Sequence, residues 1–147
     1  MTLKEEIKER LTQKRPVRVF SYIHGGGRIG AMIEIESDTD FGLNTEPLEI
    51  FAHDVCMHVA AANPVSIHGG CCERADHLAR VREGTDAPPH LLERIIDGKM
   101  AKWDKQYVLL AQPWIKDENL TISDLLKIVS GVLREQVTIT KIARFGR

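Results

Sequence analysis

Aromatic residues and cysteines are scarce in this chain of 147 residues. Phe, Trp and Tyr together make up 5% of the sequence, so we expect a core built mainly from aliphatic side chains. The three cysteines, Cys56, Cys71 and Cys72, form an odd and sparse set, which argues against a secreted scaffold held together by disulfides. A reducing compartment fits this usage better, and we therefore predict a cytoplasmic protein.

The chain has no excess of positive or negative charge, and it also lacks a long apolar segment. Lys and Arg number 20 and Asp and Glu 21, for a net charge of -1, which argues against a dedicated nucleic-acid binder and a polybasic membrane-surface protein. The longest stretch without a formal charge, Val55 to Cys72, contains Asn63-Pro64 and Gly69-Gly70, so it does not predict a membrane span. The first ten residues alternate in charge, unlike a signal or transit peptide.

Alternating apolar residues predict three strands. Two of them, over 17–24 and 28–36, are separated by Gly25-Gly26-Gly27 and form an antiparallel hairpin, and a third strand runs over 136–145. We expect the last strand to join the hairpin in a three-stranded antiparallel sheet with helices packed on one face. The predicted fold is therefore a two-layer α+β fold of β-β-αn-β order.

Apolar residues at helical spacing predict several helices between the strands. The expected helices run over 3–14, from Thr45 to Asn63-Pro64, from about Glu73 to Arg82, from Pro88-Pro89 to a break at Gly98 and on to Leu110, and from the capping box at Thr121. Residues 65–72 and 112–114 are predicted loops. We expect residues 1–15 to be a helix and linker, and residues 16–147 to be the core domain. The predicted buried residues are Ile33, Ile35, Leu48, Phe51, Val55, Val59, Ile95, Trp103, Leu125 and Val129.

Two patterns suggest chemistry but favour plainer interpretations. Gly25 to Gly30 satisfies G-x-G-x-x-G, but the next segment has the period of a strand, so a hairpin turn is favoured over a nucleotide loop. The histidines and cysteines between His53 and His77 lack the paired spacing of a zinc site, and we predict no metal. We expect these histidines to be mostly solvated. A metal- or thiol-dependent enzyme stays open as a remote alternative, which metal analysis of the protein would test.

An acidic turn follows the second strand. Glu36, Asp38 and Asp40 lead to Phe41 and Gly42, and the pattern of a calcium loop is incomplete. A solvated turn before a helix would explain the carboxylates. It explains Phe41 less well, because an aromatic side chain there either folds into the core or is presented to a partner. We predict that the Phe41 ring is at least partly exposed.

The order and spacing of five short motifs resemble those of one known family. They are Tyr22-Ile-His-Gly-Gly-Gly-Arg-Ile-Gly30, Thr39-Asp40-Phe41, Ala52 to Asn63-Pro64, Gln112-Pro-Trp-Ile-Lys-Asp117 and Ala143-Arg-Phe145. Over about Tyr22 to Phe145, the chain resembles the bacterial elongation factor Ts family, the nucleotide-exchange factors of elongation factor Tu.

The resemblance implies a function and the residues that carry it. It implies that this chain binds elongation factor Tu, in its GDP-bound and nucleotide-free forms, through Thr39, Asp40 and Phe41. In the family, the phenylalanine wedges near two helices of the GTPase and disturbs its magnesium site, so that GDP leaves faster. The further contacts implied by the resemblance are His24, Ile115, Lys116, Leu133 and Arg134. No cofactor and no covalent chemistry are implied, so we do not expect an enzyme.

The chain departs from the family pattern in three places. Only residues 1–15 precede the core where the family has a three-helix domain, which predicts a minimal single-core member, and such members form homodimers. The segment Glu36-Ser-Asp-Thr-Asp-Phe-Gly-Leu43 replaces Asn-Cys-Glu-Thr-Asp-Phe-Val-Ala, and Arg134 replaces a glycine. The alternative function is therefore a protein-binding module on the same fold without efficient exchange. Measuring GDP release from elongation factor Tu would separate the two.

Overall fold

The computed structural model describes residues 2–12 and 14–147, and the side chains of residues 9–12 lie outside this description. Within this part of the chain, the helices are α1 (Leu3–Thr12), α2 (Asp40–Leu43), α3 (Glu46–Ala62), α4 (Cys72–Gly84), α5 (Pro89–Tyr107) and α6 (Ile122–Leu133). The strands are β1 (Val17–Ile23), β2 (Ile29–Glu36), β3 (Pro113–Trp114), β4 (Asp117–Thr121) and β5 (Thr138–Gly146). Among these residues, no helix combines the length and apolar character needed to cross a membrane.

The main sheet has the order β1-β2-β5, and both pairings are antiparallel. The predicted hairpin is confirmed, and so is the pairing of the last strand with it. Gly26 and Gly27 have φ angles of 77° and 71°, which residues with a Cβ rarely adopt, so the glycines serve the turn. Helices pack against the sheet, which confirms the predicted α+β class.

The core lies between the sheet and α3, and α6 packs on α3. Seven of the predicted core residues are buried: Ile33, Ile35, Leu48, Phe51, Val55, Val59 and Val129. Trp103 and Leu125 are only half-buried. The prediction for Ile95 is wrong, because its side chain is 38% exposed while the neighbouring Ile96 is 1% exposed.

Helix boundaries follow local signals in most places. Helix α3 begins after Thr45 and ends at Asn63, which adopts a left-handed φ of 48°, and Pro64 follows. The capping box at the start of α6 is present, with Thr121 Oγ1 accepting from Asp124 N–H at 3.1 Å. The predicted apolar stripe on the first helix places Leu3 and Ile7 in solvent, whereas the side chain of Leu11 lies outside the described residues.

Two predictions about the second half of the chain are wrong. Gly98 does not break a helix, because α5 continues through it to Tyr107. Burial of Ile96 and Met100 on either side offsets the roughly 1 kcal/mol that a helical glycine costs relative to alanine. Residues 113–114 are not a loop, since they pair with β4 in a small antiparallel sheet.

Candidate functional site

The Thr39-Asp40-Phe41 motif forms the start of a one-turn helix at the exit of β2. Thr39 is the N-cap of α2, and its Oγ1 accepts from Gly42 N–H at 3.2 Å. Phe41 is 81% exposed, whereas Leu43, two residues later, is 2% exposed. The predicted exposure of the Phe41 ring is therefore confirmed. Leaving a phenylalanine in water forgoes about 1.5–3 kcal/mol of burial, so this position is costly unless a partner covers the ring.

Glu135 holds this turn from the other end of the chain. Its carboxylate accepts hydrogen bonds from Ser37 Oγ at 2.7 Å, Thr39 Oγ1 at 2.5 Å and Thr39 N–H at 3.3 Å. The Thr39 and Ser37 hydrogen bonds lower the pKa of Glu135, so the carboxylate that orders the turn is charged at neutral pH. A Cβ at Gly42 would collide with this carboxylate, which explains a glycine inside α2.

The structure brings Leu133 and Arg134 beside the Thr39–Phe41 turn. Arg134 caps α6 with a left-handed φ of 54°, and its N–H donates to Ser130 O. Two residues after Arg134, Gln136 N–H donates to Asp38 Oδ2 at 2.7 Å. The end of α6 and the acidic turn therefore form one surface. Five of the eight predicted site residues lie on this surface: Thr39, Asp40, Phe41, Leu133 and Arg134.

The other three predicted residues lie together at a different place. His24 follows β1 at the end of the hairpin opposite to Glu36, which is roughly 20 Å from the turn at about 3.4 Å per residue. Its Nδ1 is 3.0 Å from Tyr22 Oη, and His24 and Ile115 line a shared cavity of about 250 Å³. Lys116 Nζ donates to Asp54 Oδ1 at 2.6 Å and lies over the Trp114 ring.

A buried histidine, which the sequence interpretation missed, positions the turn of Ile115 and Lys116. His58 is 1% exposed, so the prediction of solvated histidines is wrong for this residue. Ile115 N–H donates to His58 Nδ1 at 3.3 Å, and His58 Nε2 lies 2.8 Å from Gln112 Oε1. This pattern requires the neutral tautomer with its proton on Nε2. Burial lowers the pKa of His58, which favours the same neutral form.

The surroundings of Cys56 and Cys72 oppose formation of a thiolate. Burial raises the pKa of the Cys56 thiol to about 11, which opposes formation of the thiolate. A hydrogen bond to the Glu73 carboxylate likewise raises the pKa of Cys72. Across residues 2–8 and 14–147, whose side chains the structure describes, no group of three or more His, Cys, Asp or Glu side chains is arranged to hold a metal ion. Metal analysis of the purified protein tests the prediction that it holds no zinc.

The chain is similar to known proteins over most of its length. The family model described as Elongation factor TS matches residues 1–147. Over 135 residues, the chain is 37% identical to the elongation factor Ts of Caldanaerobacter subterraneus subsp. tengcongensis, a match that covers 88% of this chain and 68% of that protein. Identity to the elongation factor Ts of Solidesulfovibrio magneticus is 40% over 133 residues, covering 86% of this chain and 66% of the relative.

A third relative differs more in length. The elongation factor Ts of Koribacter versatilis is 34% identical over 133 residues, which cover 86% of this chain and 61% of the relative. The chain thus spans about two thirds of the length of the relatives it matches. The match over every residue of the chain, on a fold that presents the Thr39-Asp40-Phe41 turn, shows that the chain belongs to the elongation factor Ts family.

Proposed function

We propose that this chain promotes the release of GDP from elongation factor Tu during translation elongation in the cytoplasm. The observation that carries the proposal is the Phe41 ring, which is 81% exposed beside the exposed Asp40. An exposed aromatic side chain next to a carboxylate is typical of an interface anchor. In the family, this pair acts on the GTPase near its magnesium site, and we assign the same role to Asp40 and Phe41.

The proposed mechanism is a coupling between two binding equilibria. A protein that binds the nucleotide-free GTPase more tightly than the GDP form must weaken GDP binding by the same factor. Accelerated release follows when the wedge disturbs the groups that hold the nucleotide. This activity needs no covalent chemistry, so we propose that the chain acts as a binding protein rather than an enzyme.

The rigidity of the turn supports the proposal. Glu135 joins Ser37 and Thr39, so α2 is already held in place before a partner arrives. Holding an anchor in its bound position reduces the conformational entropy lost on association. The turn of Ile115 and Lys116, which His58 positions, would supply a second contact region for the same partner.

A binding module without efficient exchange is the second candidate, and Arg134 is the observation that favours it. Its long side chain is exposed directly beside the turn, where the family has a glycine. A bulky cation at this place would keep the GTPase from approaching the backbone closely. In that case, the chain would bind elongation factor Tu but leave its nucleotide site undisturbed.

Two measurements on the same sample separate these functions. One is the release rate of a fluorescent GDP analogue from elongation factor Tu of the same source, with and without the protein. The other is the affinity of the protein for the GDP-bound and nucleotide-free GTPase. The proposed function predicts faster release and tighter binding to the nucleotide-free form. Tight binding with an unchanged release rate would favour the binding module, and no binding would exclude both.

A further inference from the structure

An apolar groove of about 490 Å³ lies between α3 and α6, outside the residues implied by the family resemblance. Ile50 on α3 is 57% exposed, and Ile128 and Val132 on α6 are 53% and 62% exposed. Isolated exposed apolar residues are ordinary, but three that line one groove form a contiguous patch that is typical of an interaction site. Within the described residues, no element covers these three side chains.

The ends of the groove are set by the packing of the two helices. Gly42, which precedes α3, lies against Glu135, which follows α6. Further along α3, Asp54 pairs with Lys116 at the turn before β4, and β4 leads directly into α6. The two helices therefore run antiparallel, with the start of α3 beside the end of α6.

This arrangement places the groove between the two candidate contact regions. At one end, Val132 is two residues from Arg134, and Glu46 and Pro47 follow closely after Phe41. At the other end, Asp54 contacts Lys116. On α6, the groove lining from Leu125 to Val132 spans about 11 Å between these ends. A single partner that contacts both Phe41 and Lys116 across α3 and α6 would cover the groove.

We propose that the α3–α6 groove binds an amphipathic helix of the GTPase. This inference rests on the proposed function and adds to it a contact surface between the two regions. A groove formed by two helices accepts a third through apolar residues spaced at i, i+3 or i+4, and i+7. The length of about 11 Å corresponds to roughly two helical turns, the distance from residue i to residue i+7. Glu46 also lines the groove and favours a basic residue beside the apolar face of the bound helix, whereas Asp54 is already paired with Lys116.

The test introduces charge into the groove. Ile128→Glu and Val132→Glu each place a carboxylate at an exposed groove position. The matched control is Leu91→Glu on α5, which is also an exposed apolar position in a helix and is 39% exposed. Because all three sites are exposed, we expect Tm values within about 2 °C of the parent. Affinity for nucleotide-free elongation factor Tu is measured by titration calorimetry.

We expect each groove variant to bind about tenfold more weakly than the parent, and Leu91→Glu to bind like the parent. A photo-crosslinking p-benzoylphenylalanine in place of Ile128 should attach to one helical segment of the GTPase, identified by mass spectrometry. Crosslinks confined to a second copy of this chain would overturn the proposal. The mass of each variant in solution is measured by light scattering to detect a change in self-association.

The outcomes distinguish this proposal from the proposed function. If the parent binds elongation factor Tu and accelerates GDP release from it, and both groove variants bind like the parent, the groove assignment is overturned while the exchange function stands. If the parent does not bind elongation factor Tu at all, the proposed function fails and the groove assignment fails with it.

Discussion

The carboxylate of Glu135 accepts hydrogen bonds from both the hydroxyl and the backbone N–H of Thr39, 96 residues away in the chain. Thr39 in turn caps α2, the helix that carries Phe41. The connection between α6 and β5 therefore orders the turn that exposes the aromatic ring. This long-range contact places two of the family motifs on one surface.

The contact between Glu135 and Gly42 predicts that changes at the two positions are not additive. Gly42→Ala should displace the Glu135 carboxylate and break the same hydrogen bonds that Glu135→Ala removes. The double variant should therefore be no more than about 0.5 kcal/mol less stable than the worse single variant. Urea denaturation of all four proteins measures this cycle. Additive losses would show that Gly42 acts independently of the carboxylate.

Backbone strain at Arg134 predicts a stabilising substitution. At a φ of 54°, a residue with a Cβ is strained by about 1–2 kcal/mol, whereas glycine is not. After the greater chain entropy of glycine in the unfolded state is subtracted, Arg134→Gly should raise stability by about 0.5–1 kcal/mol. Lys127→Gly, inside the same helix, is the control and should lower stability by about 1 kcal/mol. Equal losses for both variants would contradict the capping assignment.

The buried His58 predicts a loss of stability in mildly acidic solution. Burial lowers the pKa of His58 below its ordinary value of 6.5, so the unfolded chain binds the proton more readily than the folded protein. The contribution of His58 is therefore present above pH 6.5 and is lost as the pH falls below it. At pH 7.5, His58→Gln should cost about 1–3 kcal/mol, because it disturbs the hydrogen bonds to Gln112 and Ile115.

Denaturation between pH 7.5 and 5.0 measures this effect. The difference in unfolding free energy between the parent and His58→Gln should narrow as the pH falls. Only the parent has a buried imidazole whose protonation in the unfolded chain reduces the stability of the folded protein. His90→Gln serves as the control, because His90 is exposed on α5. A gap that is constant over this pH range would show that His58 is not held neutral by the fold.

The outer face of the main sheet is where we predict the homodimer contact. Five exposed apolar side chains lie on this face: Val17, Val19, Ile23, Met32 and Phe145. If this patch packs against the same patch of a second copy about a two-fold axis, the five side chains of both protomers become buried. Met32→Glu, at the centre strand, should weaken self-association at least about tenfold, and Val65→Glu, away from the sheet, should not. A parent that is monomeric by light scattering would refute the prediction.

Elements with strong local signals could be predicted from the sequence. The glycine turn, the capping box of Thr121 and Asp124, and the stop at Asn63-Pro64 act over a few residues, and the structure contains each of them. The prediction that Ile95 is buried failed because α5 carries two adjacent apolar stripes, and periodicity does not tell which stripe faces the core. The structure buries the stripe of Ile96 and Met100. Strand β3 has only two residues, too few for any periodic signal.

The candidate site was predictable only where its neighbours in the chain were informative. The exposure of Phe41 followed from the polar residues around it. The groups that position the site did not, because Glu135 and Ser37 are 98 residues apart and His58 and Gln112 are 54 residues apart. Such pairs form only when helices pack. The sequence of α3 therefore did not indicate that His58 is buried against Gln112.

GDP release from elongation factor Tu in the presence of Phe41→Ala tests whether the exposed ring carries exchange. Because Phe41 is 81% exposed, the variant should keep its folding stability within about 0.5 kcal/mol. It should lose about 1–3 kcal/mol of the acceleration, or roughly 5- to 150-fold, and Asp40→Ala should act in the same direction. The controls Leu91→Ala and Asp86→Ala should release GDP like the parent. If Phe41→Ala and Asp40→Ala both fold and still accelerate release like the parent, the turn does not carry exchange and the role proposed for Asp40 and Phe41 is wrong.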